Sequence, residues 1–239
     1  MKIPNYPVKC QECGLSGDGF FCRLSPEDLN TFESIKIVNK VYPKGATLFV
    51  EGQPVDGVYM LCQGTVKLST CSQYGKVIVI DVAEPGDLLG LSAAVNEDCY
   101  ETTAEVLETC QVNYVATDDL LHLLRNDPAA CFNAVRQLSR NYNAAFRQVC
   151  ALGLSDSVVG KLAKLFLSWS GNGNGNGNGS DGPVRIKNAF THAEMAQMIG
   201  TSRETVTRAL KYFRDNELVT VENSHLVIHD RHRLKTVVR

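Results

Sequence analysis

The stretch Thr191–Arg214, THAEMAQMIGTSRETVTRALKYFR, predicts two short helices joined by a tight turn. Thr191 is a favourable N-cap, and Glu194, three residues later, completes the pattern of a capping box. The apolar face of the first helix consists of Met195, Ala196, Met198 and Ile199. Gly200 follows at a position where a chain leaving a helix commonly adopts a left-handed conformation. The pattern therefore predicts a helix that ends abruptly and a chain that turns at once.

The second helix is predicted to begin at Thr201, with Glu204 three residues later as in a second capping box. Val206, Leu210 and Phe213 form its inner stripe. The side chains that face outward are Ser202, Arg203, Glu204, Thr207, Arg208 and Lys211. Arginine can bond guanine through two hydrogen bonds and glutamate can accept from cytosine, so this face suits the major groove of DNA. The alternative is a helical hairpin with a solvated charged face, but the caps and the glycine turn favour DNA binding.

The composition indicates a globular protein whose charge is unevenly spread. The chain has 239 residues, 44% hydrophobic content and a net charge of -2, which argues against a generally basic coat protein for nucleic acid. From residue 183 onward, however, ten Lys and Arg residues stand against six Asp and Glu residues. A basic module on an acidic body is typical of sequence-specific regulators. No run approaches the ~20 apolar residues that cross a bilayer and no signal peptide is evident, so we expect a cytoplasmic protein without a membrane partner.

Three of the nine cysteines cluster near the N-terminus as Cys10-x2-Cys13-x8-Cys22. Thiolates separated by two intervening residues can share one metal ion or cluster, which is the first interpretation of this segment. Redox-active thiols, or incidental cysteines without a function, are the alternatives. Disulfides are not expected in the cytoplasm, so several of the other cysteines are predicted to be small buried hydrophobes.

Residues 39–116 predict a sandwich or roll of short strands. Runs of β-branched residues recur at roughly 8–12-residue spacing and end at glycines such as Gly52 and Gly64. The predicted strands are Thr47–Val50, Gly57–Leu61, Thr65–Leu68, Val77–Ile80 and two more between Thr102 and Val115. A short helix capped by Ser25 is predicted before them. A roll of this kind is a common container for a small ligand.

A long helix is predicted to open at Asp127-Pro128, after a short helix at Asp118–Leu124. Its apolar positions are Cys131, Val135, Leu138, Tyr142, Ala145, Val149 and Leu152. The intervals alternate between four and three, which is the a/d rhythm of a coiled coil. This rhythm favours a seam between two chains over a helix that packs only on its own β domain.

The remaining segments complete the predicted domain organisation. Gly153–Asp156 is predicted to hinge two domains, Val158–Trp169 to form a helix, and the repeat Gly171–Gly179 to form a surface loop. Leu218–Val221 and His225–Ile228 predict a β-hairpin wing beside the second helix of the hairpin. The plan comprises a cysteine segment (1–24), a β-roll (25–125), a dimerisation helix (126–153) and a winged helix-turn-helix (154–239).

Together these features resemble the CRP/FNR family of bacterial transcription regulators. The match at Ile199–Arg208, IGTSRETVTR, resembles the recognition helix of the family and is highly specific. Moderately specific matches to the turns of the family's roll are Tyr42–Gly45 with Glu51-Gly52, Gly64–Lys67 and Pro85–Gly90. The resemblance implies an α+β fold: an N-terminal double-stranded β-roll like those that bind cyclic nucleotides, a long dimerisation helix and a C-terminal winged helix-turn-helix.

The resemblance also implies a homodimer that works with RNA polymerase and places its two recognition helices in half-sites about one DNA turn apart. By position, Arg203, Glu204 and Arg208 match the base-reading residues of the cyclic-AMP receptor branch. They imply a TGTGA-like half-site rather than the TTGAT of the oxygen-sensing branch. Ser202 and Thr207 are expected to help hold phosphates or base edges.

The roll lacks the residues with which the family holds cyclic AMP. Cyclic-nucleotide binders use a Gly-Glu pair and an Arg-Ser pair around the phosphate. Here Leu91 follows Gly90, and no Arg occurs between Arg23 and Arg125. No His precedes His122, so haem sensing has little support either. Cyclic AMP is therefore not the expected cofactor.

The N-terminal cysteines resemble those of the oxygen-sensing branch, in which three cysteines before the roll and one within it hold a [4Fe–4S] cluster. The resemblance implies Cys10, Cys13 and Cys22 as ligands here. The second gap is eight residues rather than the usual five, and the usual fourth position falls on Asn113. Cys110, three residues earlier, is the first choice for the fourth ligand, and Cys62 and Cys99 are other candidates.

The first hypothesis for regulation is control by redox state or oxygen through such a cluster. The alternatives are control by a small molecule in the roll and the absence of any effector.

Two other classes of protein compete with a regulator. One is a small-molecule-binding module whose helix-turn-helix is vestigial, and the other is an enzyme. The sequence contains no nucleophile elbow, phosphate loop or His–carboxylate cluster, so an enzyme is not expected.

Overall fold

A computed structural model of the chain describes residues 20, 38–154, 157–171, 183–187, 190–222 and 225–238. The predicted features outside these residues are Cys10, Cys13 and Cys22, the helix after Ser25, part of the hinge, most of the glycine–asparagine repeat and the tip of the wing. The described residues form two compact units. The first combines residues 20 and 38–72 with Ile80–Ala145, and the second combines Gln73–Val79 with the described residues from Phe146 onward.

An antiparallel sheet forms most of the first unit. Its strands are β1 (Val38–Tyr42), β2 (Thr47–Phe49), β3 (Gly57–Cys71), β4 (Val77–Ala83), β5 (Leu88–Leu89) and β6 (Thr103–Ala116). The order is β1-β6-β3-β4, with β2 also paired to β6 and β5 to β3. The two longest strands, β3 and β6, run side by side through the whole roll.

These two long strands correct the prediction of shorter ones. Gly64 was predicted to separate two strands, yet β3 continues through it, with shifts of register against β6 between Leu61 and Val66. Gly64 has a φ of +91°, and a Cβ added there would lie 2.6 Å from the Cβ of Cys110. Glycine therefore bends the strand where another backbone approaches closely, rather than ending it. The prediction of two strands between Thr102 and Val115 was also wrong, since β6 is unbroken.

Three helices follow within the described part of the first unit: α1 (Leu91–Asn96), α2 (Thr117–Asn126) and α3 (Pro128–Gly153), whose end belongs to the second unit. The sequence predicted α2 and α3. Asp127 caps α3, since its Oδ1 accepts from the N–H groups of Ala129 and Ala130 at 2.7 and 3.0 Å. The sequence analysis missed α1, which begins after Gly90 without a capping side chain.

Two hydrophobic cores lie among the described residues of the first unit. The roll core, enclosed mainly by the strands, consists of Leu48, Phe49, Tyr59, Leu61, Val66, Ala83, Leu89, Ala93, Tyr100, Ala104, Val106, Cys110 and Val112. The helix core joins the sheet to the three helices and consists of Phe20, Val58, Met60, Leu88, Leu91, Ala94, Val115, Leu120, Leu123, Ala130 and Ala134. Within the roll core, the rings of Phe49 and Tyr100 stack with their centroids 4.0 Å apart.

The described residues of the second unit add four helices and a three-stranded sheet to the end of α3. They are α4 (Val158–Gly171), β7 (Val184–Lys187), α5 (His192–Ile199), α6 (Arg203–Asp215), β8 (Val219–Glu222), β9 (His225–Ile228) and α7 (Arg231–Thr236). The sheet order is β7-β9-β8, so the predicted wing hairpin is present, whereas β7 and α7 were not predicted. Phe166 of α4 packs edge-on against Phe213 of α6, with 5.6 Å between ring centroids. The predicted α+β fold is confirmed, and no helix within the described ranges is long and apolar enough to span a bilayer.

Candidate nucleic-acid interface

The first helix of the helix-turn-helix has both of its predicted ends. Thr191 Oγ1 accepts from the N–H of Glu194 at 3.2 Å, and Glu194 Oε2 accepts from the N–H of Thr191 at 2.6 Å, which completes the capping box. At the other end, Gly200 has φ 68° and ψ 35°, the left-handed conformation that glycine adopts at little cost. Local signals in the sequence therefore define both ends of α5.

The second helix begins later than predicted, because Ser202 rather than Thr201 is its N-cap. The N–H of Thr201 donates to the carbonyl of Ala196 at 2.9 Å, so Thr201 still belongs to the turn that closes α5. Ser202 Oγ accepts from the N–H of Thr205 at 3.3 Å. The second predicted capping box was thus wrong. Glu204 instead lies in the first turn of α6, where its negative charge interacts favourably with the helix dipole.

The six residues predicted to contact DNA all lie exposed on α6 or at its N-cap. They are Ser202, Arg203, Glu204, Thr207, Arg208 and Lys211. The opposite face is buried through Val206, Ala209 and Phe213. Leu210, predicted for the inner stripe, is only half-buried, because the helical period turns Ala209 into the core instead. A polar face that begins at a helix N-terminus, backed by a packed core, is the geometry of a major-groove reader.

The charged residues of this face carry the complementary chemistry that base reading requires. The pKa of Glu204 is lowered first by its own backbone N–H and next by the Ser202 hydroxyl, with smaller contributions from Arg203 and Arg208. Glu204 is therefore ionised at neutral pH and can only accept hydrogen bonds, as cytosine N4 requires. The two arginines can only donate, as guanine O6 and N7 require.

Thr207 also has a role within the protein. Its hydroxyl donates to the carbonyl of Arg203 at 3.0 Å and lies 2.9 Å from Nδ1 of His192. The hydroxyl therefore contacts both a backbone carbonyl of α6 and the ring of His192. Thr207 thus connects α6 to the first turn of α5. The sequence analysis missed His192, although its position directly after the cap Thr191 was a usable signal.

One face of α3 is apolar and exposed. Its exposed apolar residues are Cys131, Phe132, Val135, Tyr142, Phe146 and Val149. Four of them were predicted as seam positions, namely Cys131, Val135, Tyr142 and Val149. The other three predicted positions, Leu138, Ala145 and Leu152, are half-buried. The buried residues of the same helix are Ala130, Asn133, Ala134 and Gln137, so a buried and an exposed face lie side by side on α3.

Two aromatic residues of this exposed face were missed by the heptad analysis. Phe132 and Phe146 each follow directly after a seam position, at Cys131 and Ala145, and more than half of each side chain is exposed. The guanidinium carbon of Arg136 lies over the ring of Phe132, 4.4 Å from its centroid. The seam is therefore flanked by rings that widen its apolar area.

Cys110 does not have the surroundings of a metal ligand. It is fully buried in the roll core, and burial raises the pKa of its thiol to about 11. Metals bind the thiolate, so a group held as the neutral thiol in an apolar core does not fit a cluster ligand. Cys62 and Cys99 are half-buried. In the described part of the chain, no three His, Cys, Asp or Glu side chains are placed to hold a metal ion.

Phe20 is the one described residue of the N-terminal cysteine segment, and it is anchored in the first unit. Its ring is buried in the helix core with 3% exposure. Its N–H donates to the carbonyl of Gly86 at 3.2 Å, and its carbonyl accepts from the side-chain amide of Asn133 at 3.1 Å. Asn133 belongs to the buried face of α3. The chain just before Cys22 is thus attached to both the roll and α3.

Two polar groups of the roll are bonded to the protein itself. Lys67 is buried, and its Nζ lies 2.8 Å from a carboxylate oxygen of Glu105, so its charge is already neutralised. The Tyr100 hydroxyl lies 2.9 Å from Asp56 Oδ1 and 2.7 Å from the carbonyl of Gly57. The strands of the roll contain no arginine. Their described residues therefore show no buried cation that is left to meet a buried phosphate.

Comparison with protein families assigns both halves of the chain. Residues 39–127 match the cyclic nucleotide-binding domain, and residues 160–237 match the Crp-like helix-turn-helix domain. The chain is 26% identical to the CRP-like cAMP-activated global transcriptional regulator of Mycobacterium tuberculosis strain H37Rv, over 81% of this chain and 84% of that protein.

Solved structures share the same fold. FixK2 from Bradyrhizobium japonicum matches with a TM-score of 0.73 and 18% identity, covering 86% of this chain and 98% of that one. TTHA1359, a transcriptional regulator of the CRP/FNR family from Thermus thermophilus, matches with a TM-score of 0.67 and 20% identity, covering 84% and 98%. With the two domain matches in this order and an exposed recognition helix behind them, the chain belongs to the CRP/FNR family of transcription regulators, with a helix-turn-helix DNA-binding domain.

Proposed function

We propose that this regulator binds a palindromic TGTGA-like site as a homodimer, with α6 of each subunit in the major groove of one half-site. The observation that carries the proposal is the exposed face of α6, on which Arg203, Glu204 and Arg208 lie within the first two turns. The arginines donate to guanines and Glu204 accepts from a cytosine of the opposite strand. Lys211 and the Ser202 cap lie at the edges of this face and suit phosphate contacts.

The test compares the affinities of the purified protein for three duplexes at one fixed salt concentration, measured by fluorescence anisotropy. The duplexes carry a TGTGA palindrome, a TTGAT palindrome and a scrambled sequence. We expect the TGTGA duplex to bind more tightly than the TTGAT duplex by at least about tenfold, since each mismatched base pair typically costs about 1–3 kcal/mol. Equal affinities for the three duplexes would contradict sequence-specific recognition.

The homodimer is supported by the exposed apolar face of α3. Side chains such as Val149, which is 67% exposed, are energetically costly to leave in water along a whole helix face. Paired across a two-fold axis, the seam residues would cover one another as in a coiled coil. A two-fold dimer would also present two recognition helices to a palindrome, which one subunit cannot do.

The dimer is tested by Val149→Glu, with Asn143→Glu as the matched control on the same helix. Asn143 is exposed and lies off the seam. We expect Val149→Glu to be monomeric by light scattering and to bind the palindrome more than roughly a hundredfold more weakly, because one subunit reads only one half-site, while Asn143→Glu remains dimeric. A monomeric wild-type protein would contradict this part of the proposal.

Control by redox state or oxygen through the N-terminal cysteines is the finer part of the proposal. It is supported by the spacing of Cys10, Cys13 and Cys22 and by the attachment of Phe20 to the roll and to Asn133 of α3. The surroundings of Cys110 do not fit the fourth ligand of a [4Fe–4S] cluster. The alternatives are that a small molecule in the roll controls the protein, or that it has no effector. We also propose that the regulator contacts RNA polymerase. Its functional segments would be 1–24, 25–125, 126–153 and 154–239.

Iron content and visible absorbance of the protein purified without oxygen test this part. We expect Cys13→Ala to abolish the iron content and Cys110→Ala to leave it unchanged. A colourless, iron-free wild-type protein would exclude the cluster, and loss of iron on Cys110→Ala, with an unchanged circular dichroism spectrum, would restore Cys110 as a ligand.

A further inference from the structure

The last two turns of α3, which belong to the second unit, contact the end of α5 directly before the turn of the helix-turn-helix. The side-chain amide of Gln148 donates one hydrogen bond to the carbonyl of Met198 at 2.5 Å. It donates a second to the carbonyl of Val79, in the same unit, at 2.8 Å. Both N–H groups of this amide are therefore used, and both acceptors are backbone groups that cannot move independently of their elements.

The carbonyl of Met198 needs a partner from outside its helix. Met198 is the penultimate residue of α5, and the last four carbonyls of a helix have no partner within it. The residue is also buried, with 4% exposure, so water is largely excluded from it. A buried carbonyl without a hydrogen bond is costly. Gln148 therefore satisfies the end of α5 at the point where the chain turns into the recognition helix.

A second contact lies one turn further along α3. A Cβ added at Gly200 would lie 3.0 Å from Cδ2 of Leu152, so the turn approaches α3 as closely as a glycine allows. The carbonyl of Leu152 in turn accepts from Nζ of Lys161 in α4 at 2.8 Å. Gln148 and Leu152 are four residues apart and share one face of the helix, so one contacts the end of α5 and the other the turn that follows it.

We infer that Gln148 is a positioning residue that sets the angle between the last two turns of α3 and the recognition helix, and through it the separation of half-sites that the dimer accepts. This inference rests on the proposed pairing of subunits through the neighbouring face of α3, where Phe146 and Val149 are exposed. DNA fixes the distance and the rotation between two half-sites base pair by base pair. A helix-turn-helix held at one angle on a paired α3 therefore matches one separation, and a loosened one accepts several.

The experiment measures affinity for TGTGA palindromes whose central spacer is of the preferred length, one base pair shorter or one base pair longer. Gln148→Leu keeps the approximate size of the side chain and removes both donors. Gln137→Leu is the matched control, because Gln137 lies on the same helix and its amide bonds to Asp87 and Asn141 instead. We expect the wild type and Gln137→Leu to disfavour the altered spacers by at least about tenfold, and Gln148→Leu to disfavour them by less than about threefold, since half-site spacing is set by the geometry of the dimer.

Two further variants separate positioning from a general structural effect. Gln148→Lys retains a donor of similar reach, and we expect it to restore most of the spacer discrimination. Gln148→Glu replaces the donors by acceptors that face two carbonyls, and it decides the question if Gln148→Leu does not fold. Wild-type discrimination in a folded Gln148→Leu or Gln148→Glu dimer would overturn the inference. A wild-type protein that binds none of the palindromes would instead refute the proposed function.

Discussion

The outer face of α6 and the roll differ in whether their polar groups are exposed to solvent or buried and bonded within the protein. On α6, Arg203, Glu204 and Arg208 are exposed and charged, and the helix is capped by the hydroxyl of Ser202. In the roll, Lys67 is neutralised by Glu105, and the hydroxyl of Tyr100 is bonded within the roll. The roll matches the cyclic nucleotide-binding domain, and α6 lies in the match to the Crp-like helix-turn-helix domain. Of these groups, those on α6 are the ones still able to bind a ligand.

This difference shows that a family match to a ligand-binding domain does not by itself identify a ligand site. The match to the cyclic nucleotide-binding domain covers residues 39–127, which include the strands of the roll. The chemistry that would hold a buried phosphate is a separate requirement, because a buried anion needs a cation that is not already paired. Substitutions on α6 and in the roll test this contrast, and the largest effect is expected on α6.

Removing one base-reading side chain should affect DNA binding more than any change in the roll. We expect Arg203→Ala to weaken binding to the TGTGA palindrome by about 1–3 kcal/mol at each half-site, which amounts to at least about thirtyfold for the homodimer. Binding to scrambled DNA, which depends on phosphate contacts, should change little. Arg214→Ala is the matched control, since Arg214 lies in the last turn of α6 beside Asp215, and it should retain specificity. Equal losses of affinity for the two variants would show that the loss comes from removing a positive charge and not from removing a contact to a base.

The turn before α6 should be sensitive to a single added methyl group. Gly200→Ala places a side chain at a positive φ and brings its Cβ against Leu152, and we expect a loss of about 2 kcal/mol in the free energy of unfolding. In a Leu152→Ala background the contact is relieved and only the conformational cost of about 1 kcal/mol should remain. Urea unfolding followed by the fluorescence of Trp169, the one tryptophan of the chain, measures both. Equal losses in the two backgrounds would mean that Leu152 does not restrict the turn.

The roll core should lose stability at alkaline pH. Burial and the neighbouring Asp56 raise the pKa of Tyr100, so the folded state favours the neutral phenol. The stabilisation is fully present below the ordinary pKa of about 10 and is lost progressively as the pH rises above it. We expect Tyr100→Phe to cost about 1–2 kcal/mol at neutral pH and to lose stability less steeply above pH ~10. Urea unfolding followed by circular dichroism from pH 7 upward measures this, and identical slopes for the two proteins would disprove the assignment.

Cyclic AMP should have the smallest effect of all. Because the strands of the roll have no arginine and Lys67 is paired, we expect millimolar cyclic AMP to shift the Tm by less than about 1 °C, since only a ligand that binds the folded state raises it. DNA affinity should be equally unchanged. The cAMP-activated regulator of Mycobacterium tuberculosis serves as the positive control. A rise of several degrees in this protein would place a nucleotide site in the roll after all.

The helix ends were the most predictable features, because short-range contacts determine them. Thr191 and Glu194 form their capping box, and Gly200 takes the left-handed conformation, as their spacing predicted. The error at Thr201 is also local. Two adjacent residues could both cap a helix, and the hydrogen bond from Thr201 back to Ala196 decides for Ser202.

Features set by distant contacts could not be predicted from local patterns. Gly64 looked like the end of a strand, and only the approach of Cys110 on β6 shows it to be a bend within one. The burial of Cys110 in the roll core also depends on these distant contacts, so its local sequence could not indicate it. The heptad rhythm on α3 found four of the exposed apolar residues but passed over Phe132 and Phe146, because they lie beside the seam rather than on it.

The guanidinium that rests on Phe132 has a consequence for the newly made chain. In the proposed dimer a second copy covers the apolar face of α3, but a lone subunit exposes it to water, where bare rings adhere to other apolar surfaces. A cation seated on the ring hides part of it while remaining hydrated, and such a cover can swing aside when the right surface arrives. We therefore expect Arg136 to limit the adhesion of a lone subunit without closing the face that the proposed dimer would cover.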